Sequence, residues 1–298
     1  MESMDELSRS FSKLSDNQPD IRPENSDFTE RENWLNNFFT HVPSWGGQLT
    51  DENNYQVIFS NTCTIDYYLL TFWASWILSN RPDNYLTNIH INSRLPLIIT
   101  QILFKIDSLE WNNAKYIWMK QVIQLEIKIK RNGRAVLDAF GNTHDMCYKF
   151  IKDFQRHSYT ITCSNGCINN QNTRNTCDIY MERYNGKVAI SRISNCKACK
   201  KPIIQSELIF EHDPVWLFVQ VNNGLVNNIC FEELPAHLHL NGKSYKLLSA
   251  TIFFPSNQHY RSIFLINNVP YLVDDLNPEL KNAKIPKINV DFGVYFAE

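Results

Sequence analysis

The sequence lacks an excess of either charge. Its 298 residues carry 29 lysines and arginines against 31 aspartates and glutamates, a net charge of −2. No global field exists to hold a polyanion, so nucleic acid is not an expected partner. Two local basic clusters, Lys128–Arg131 and Lys197–Lys201, read as solvated faces. Long hydrophobic runs are also missing. The longest, Tyr67 to Leu78, has 12 residues and includes Thr71 and Ser75, whereas a membrane-spanning helix needs about 20. The stretch Met1-Glu-Ser-Met-Asp-Glu-Leu7 offers neither a basic nor an apolar region, and no secretory signal is read there. The expected setting is therefore cytoplasmic and/or nuclear, away from membrane. In such a setting the eight cysteines read as free thiols, metal ligands or a nucleophile, not as a disulfide framework. Internal repeats, heptad arrays and extended low-complexity segments are absent too.

Aromatic residues, by contrast, are plentiful. Seven Trp, 13 Tyr and 18 Phe within a hydrophobic fraction of 43% supply a substantial core, enough for one large domain or two intimate lobes. Residues 1–28 are polar and charged, and a disordered or loosely packed tail is expected there; apolar density begins at Trp34-Leu35 and Phe38-Phe39. From Cys63 to about Phe154 the pattern predicts mainly helices. One covers Thr64–Ser79 and is dense in bulky apolar residues. A second has Pro96 in its first turn and Leu97, Ile98, Ile102 and Ile106 on or near one face. A third starts at an N-cap on Thr143 and runs through Met146, Phe150, Ile151 and Phe154. The last third changes period. Val215–Val221 and Tyr245–Phe254 read as strands, and Ile263–Ile266 with Tyr271–Val273 as a hairpin around Asn267-Asn268. At the end Ile288, Val290, Phe292, Val294 and Phe296 alternate with other residues. Helices first, strands last and a cysteine-rich segment over 158–201 between them predict an α+β chain.

Three residues then stand out as chemistry. Cys63 leads straight into the first predicted helix, where the macrodipole and unpaired N–H groups favour a thiolate and could steady an oxyanion close to it. By position alone, a buried structural thiol is the competing reading. A nucleophilic thiol needs a base. His259 opens a predicted strand and the hairpin returns through Asp274, so the two should lie side by side, the carboxylate fixing the imidazole tautomer. The competing reading is an exposed strand histidine with a turn aspartate. His237 and His239 share one strand face and read as solvent-facing rather than as a metal pair.

Cys163-Ser-Asn-Gly-Cys167 and Cys196-Lys-Ala-Cys199 are two close pairs separated by 28 residues. Tetrahedral zinc favours such knuckles, since each short loop aims two sulfurs at one point. A structural zinc on Cys163, Cys167, Cys196 and Cys199 is expected, with Cys177 an alternative to Cys167 and scattered thiols the competing reading.

Asn61-Thr-Cys63 ahead of a helix, Glu233 to Leu247, His259-Tyr260 and Tyr271-Leu-Val-Asp-Asp275, in this order and with the cysteine cluster between, resemble the ubiquitin-specific-protease family of papain-like cysteine isopeptidases. The matching stretches cover about a third of the chain. The resemblance implies a single catalytic domain over 29–298, shaped like a hand. A helical thumb at about 29–157 would carry Cys63, zinc-bearing fingers at about 158–201 would follow, and an antiparallel β palm at about 202–298 would carry His259 and Asp274, with Asp275 as understudy. It further implies a thiol-dependent hydrolase, expected as a monomer, that cuts the C-terminal glycine linkage of ubiquitin or a SUMO-type modifier. The sequence departs from the family pattern in three places. Ile58 stands where the family has an oxyanion-donating asparagine, leaving Gln56, Asn61 or backbone N–H groups as substitutes. Gln258 replaces a glycine before the His-Tyr pair, and the Gly-rich start of the nucleophile motif is missing. These differences place the chain among divergent members, similar in compactness to the SUMO-cleaving branch. A catalytically inactive ubiquitin- or SUMO-binding scaffold is the alternative from another class, and a zinc-organised interaction module a third.

Overall fold

Bulky apolar residues are densest over α1 (Cys63–Leu78), and every residue from Cys63 to Trp76 is buried. A helix apolar all round must be wrapped by other elements. Its few polar side chains are bonded: Thr71 Oγ1 to the Tyr67 carbonyl at 2.8 Å, and Ser75 Oγ, which donates to the Phe72 carbonyl, accepts from Trp216 Nε1 at 2.7 Å. The computed structural model describes residues 34–79, 86, 94–173, 180–181, 188–189, 195–196, 198–221, 229–277 and 289–297. The chain divides into residues 1–37 and 38–298. Of the first unit only 34–37 are described, as helix, and the tail expected over 1–28 lies outside the described residues.

α2 (Leu95–Asp107) has Pro96 in its first turn, as expected. Its buried stripe is Ile99, Ile102, Leu103 and Ile106, a run of i, i+3, i+4 and i+7. Leu97 falls on the opposite side and is exposed, which corrects the face assigned to it. α3 (Trp111–Ile117) runs on into a π-helical turn over Trp118–Val122. The third expected helix is irregular: a π turn (His144–Tyr148), a short α turn (Lys149–Ile151) and a 3₁₀ turn (Lys152–Gln155). Thr143 precedes it without a side-chain cap.

The thumb region is less purely helical than its sequence pattern predicts. β1 (Gly47–Thr50), β2 (Gln56–Ser60), β3 (Lys128–Ile129) and β4 (Ala135–Asp138) form a sheet in the order β1-β2-β4-β3. Strands of two to five residues are too short to display a two-residue period. The parallel β2–β4 pairing, Ser60 opposite Asp138, joins segments far apart in sequence.

β5 (His157–Cys163) and β6 (Ile168–Thr173) begin an antiparallel ribbon. After the short β7 (Tyr180–Met181) and β8 (Val188–Ala189), β9 (Ile203–Phe210) completes it in the order β6-β5-β9. The palm contains β10 (Trp216–Gln220), β11 (His237–Leu240), β12 (Lys243–Phe254), β13 (His259–Ile266), β14 (Val269–Val273) and β15 (Phe292–Ala297). Its order is β14-β13-β12-β15-β10-β7-β8, with β11 on β12. Asn267 and Asn268 form the two-residue β13–β14 turn, both at positive φ (51° and 62°), the backbone a type I′ hairpin requires. β15 lies between β12 and β10, and Gly293 to Phe296 are buried without alternation. The terminal apolar pattern therefore marks a central strand covered on both faces; Ile288 lies outside the described residues.

α1 lies against the palm. Thr71 meets Ser249 of β12 at 2.9 Å, and the Phe72 and Trp216 rings pack at a tilt of 32° with centroids 4.4 Å apart. Each large apolar side chain fully buried in such a core contributes roughly 1.5–3 kcal/mol. The architecture is the α+β one expected: helices, a ribbon and a palm that is antiparallel except where β7 pairs with β10. No helix among the described residues is long and apolar enough to cross a membrane.

Candidate active site

At the end of β2 the chain turns into α1 within two residues. Asn61 sits at φ 57° and Thr62 precedes Cys63, the first residue of the helix. Thr62 does not cap its own helix. Its hydroxyl donates to Asp66 Oδ2 at 2.6 Å and accepts from the Gly46 N–H at 2.8 Å. The N–H groups of the first helical turn, which have no acceptors within a helix, are thus not engaged by that side chain beside the buried Cys63 sulfur.

His259 opens β13, opposite Phe254 of β12. The residue before it, Gln258, sits at φ 50°; a glycine adopts that conformation without strain, and glycine is what the resembled family carries there. The β13–β14 register brings the end of the hairpin back to the histidine. Nε2 of His259 lies 3.0 Å from Asp274 Oδ1 and 3.2 Å from Asp275 Oδ1. Cys63 is also close enough to the imidazole to raise its pKa. Burial acts to lower the imidazole pKa, but the interactions with Asp275, Cys63 and Asp274 outweigh it and raise it to about 10.

The two carboxylates are anchored differently. Asp274 Oδ2 pairs with Arg261 Nε at 2.8 Å, and its Oδ1 also accepts the Leu276 N–H. Asp275 is tied to α1: Oδ1 accepts the Tyr67 hydroxyl at 2.7 Å, and its own N–H donates to that oxygen at 3.1 Å. Burial, with Asp275 beside it, pushes the Tyr67 phenol well above its ordinary pKa, so it stays a donor. The Asp275 carbonyl accepts the Trp45 N–H at 3.0 Å.

Beneath the helix start lies a buried ion pair, Lys115 Nζ to Asp66 Oδ1 at 2.9 Å. Lys115 also donates to the Ser44 and Gly46 carbonyls at 2.6 and 2.8 Å. Burial raises the Asp66 pKa, Lys115 opposes it and Asp275 adds to it, leaving it at about 7.

A cleft of about 520 Å³ opens over Cys63, walled by Asn61, Phe140, Asn142, Gln258 and Tyr260 among others. Of the side chains read as substitutes for the family asparagine, Asn61 lies in this cleft. Gln56 is exposed at the far end of β2, its amide on Gln48, and Ile58 sits in mid-strand. His237 and His239 are both exposed on β11.

The cysteine knuckles converge. The sulfurs of Cys163, Cys167, Cys196 and Cys199 lie within 4.8 Å of one another, Cys163 and Cys199 at 3.4 Å, and none is in a disulfide. Each knuckle is a tight turn: Gly166 at φ 73° donates to the Cys163 carbonyl, and Lys200 at φ 60° to that of Cys196. Cys177 lies outside the described residues.

A family model described as dopamine receptor-interacting protein 1 matches residues 36–281. The chain belongs to that family. The matched span of this dopamine receptor-interacting protein 1 family member contains Cys63, His259, Asp274 and the four clustered cysteines. Among solved structures it is similar to a MERS coronavirus papain-like protease, at 9% identity over 94% of this chain and 79% of that one, TM-score 0.44. It is also similar to an essential yeast splicing factor, at 10% identity over 85% and 73%, TM-score 0.41. A third likeness is to a chain of the yeast SAGA DUBm with mutant Sgf73, at 13% identity and TM-score 0.35; it covers 80% of this chain, which spans 66% of that chain's length.

Several residues of this family member's site escaped sequence reasoning. Asp66 carried a visible signal, a carboxylate inside an otherwise apolar stretch. Lys115, Tyr67 and Asp138 carried none, since each acts through a partner remote in sequence.

Proposed function

We propose that this chain is a cysteine isopeptidase that hydrolyses the C-terminal glycine linkage of ubiquitin or a ubiquitin-like modifier. One observation carries the reading: a buried imidazole near a helix-start thiol and within reach of two carboxylates. That is the arrangement acyl transfer by a thiol requires. Cys63 attacks the glycine carbonyl carbon, and His259 gives its proton to the departing lysine amine. His259 then takes a proton from the water that hydrolyses the thioester. Asp274 and Asp275 hold the imidazole tautomer throughout.

The cleft bears on which modifier. Among the described residues lining it, Asp145 is the one carboxylate, and it accepts from Asn142 and lies 3.9 Å from Lys149. A wall so poor in free acid favours a tail without arginines, as in SUMO, over the arginine-bearing tail of ubiquitin. Four sulfurs within 4.8 Å also fit a tetrahedral zinc, whose bond length of about 2.3 Å sets sulfurs just under 4 Å apart. Cys163, Cys167, Cys196 and Cys199 would hold it, and it would clamp the ribbon without entering the reaction.

Ubiquitin and SUMO C-terminal electrophile probes, run beside Cys63→Ala, test the proposal. A covalent adduct on the native chain, lost in the variant, is expected. No adduct with either probe would put the binding-scaffold reading ahead; the family's name, which records an interaction, suits that reading equally well.

A further inference from the structure

The reaction above generates a negative oxygen, and the cleft holds a polar group fit to receive it. Asn61 stands two residues before Cys63 and lines the same cleft. Its positive φ is one that Asn adopts more readily than other residues bearing a side chain. The carboxamide is not loose. Nδ2 donates to Asp138 Oδ1 at 2.8 Å, and that oxygen also accepts the Ser60 hydroxyl at 3.3 Å and the Phe140 N–H at 3.2 Å. Asp138 ends β4, and the parallel register with β2 sets it opposite Ser60, so the sheet delivers the orienting carboxylate. Partial burial acts to raise the Asp138 pKa, but the bonds from Asn61, Phe140 and Ser60 outweigh it and lower it, so it accepts as an anion. A primary amide has two N–H bonds; with one on Asp138, the other is available to the cleft.

We propose that Asn61 is the side-chain oxyanion donor of this site and that Asp138 is the positioning residue that aims it. The proposal rests on the isopeptidase reading. As a sulfur lone pair bonds to the carbonyl carbon, the C=O π pair moves onto oxygen, within about 3 Å of donors placed to meet it. The Asn61 N–H and the N–H groups at the start of α1 meet that charge. When the pair returns to re-form C=O, the C–N bond breaks and the amine leaves with the proton from His259. The strand position that the resembled family uses is thereby replaced by the turn that follows it.

Asn61→Gly is the informative variant. Glycine favours the same left-handed turn, so the change removes the amide and keeps the backbone. With ubiquitin and SUMO C-terminal aminocoumarin amides, kcat is expected to fall about 100- to 1,000-fold with KM unchanged. Alkylation of Cys63 by iodoacetamide, which forms no oxyanion, should keep its native rate, and the melting temperature should not drop. Asp138→Asn should give an intermediate loss in kcat. Native kcat in Asn61→Gly overturns the proposal, as does an equal loss in kcat and alkylation rate, which would mark a structural role. If the native chain labels with the probes yet Asn61→Gly turns over normally, only the donor assignment fails. If the native chain hydrolyses neither amide, both readings fall.

Discussion

His259 answers to two carboxylates, and they do different work on it. Asp274 is the nearer, but Arg261 shares its charge. Asp275 is deeper, held by Tyr67, and its bond is the strongest of the influences raising the imidazole pKa. The histidine's folded pKa of about 10 exceeds its ordinary value of 6.5. Its contribution to stability is therefore complete below 6.5 and lost as pH rises through about 10. The same proton sets the alkaline limb of activity if the thiolate–imidazolium pair is the reactive form. Asp275→Asn should move that limb, and the imidazole titration seen by NMR, to lower pH by more than Asp274→Asn does. A larger shift in Asp274→Asn would return the leading role to that residue. Sequence order alone brought His259 and Asp274 together, because a hairpin with a two-residue turn fixes its register. It ranked Asp275 second because Tyr67, which holds that carboxylate in place, lies 208 positions away.

Between elements, the start of α1 is fixed by charge rather than by a cap. Lys115 on α3 reaches Asp66 on α1 and the carbonyls of the 44–47 segment, whose Trp45 N–H in turn holds the Asp275 carbonyl. Removing one member of a buried pair typically costs about 3–5 kcal/mol, because it strands the other charge. Lys115→Met should destabilise on that scale. The loss should also grow as pH rises above 7: the Asp66 pKa, already at about 7, rises further without the lysine, so the native state must bury an uncompensated anion that a proton neutralises at lower pH. Denaturant unfolding at pH 6 and pH 8.5 measures this, and a pH-independent loss would show that packing, not charge, is what Lys115 supplies. The long elements were legible: α1, α2, β12 and the β13–β14 hairpin carry enough residues for a period to show. The β1-β2-β4-β3 sheet was not, since its strands are short and their pairing depends on distant partners.

At the scale of the whole molecule, the cysteine ribbon and the palm divide the labour. The palm buries a contiguous core running through Leu217, Val219, Tyr245, Leu247, Ile252 and Tyr295. Among the described residues the ribbon has three strands, and its tip brings together the four sulfurs of Cys163, Cys167, Cys196 and Cys199. Spacing in the sequence was sufficient to single out these four cysteines, because two short knuckles announce themselves without knowledge of what lies between. If zinc occupies them, its binding energy is folding energy for the ribbon and not for the site. Purified chain should carry one zinc per molecule by elemental analysis. A strong chelator, or Cys199→Ser, should lower the melting temperature and raise hydrogen exchange along β5 and β9. Exchange in α1 and β13 and the alkylation rate of Cys63 should stay near native, because Cys63 and His259 stand on α1 and the β13–β14 hairpin, outside the ribbon. Metal-free protein with unaltered melting would remove zinc from the account. Loss of protection in α1 and the ribbon together would show instead that the four-sulfur cluster supports the palm and the cleft as well.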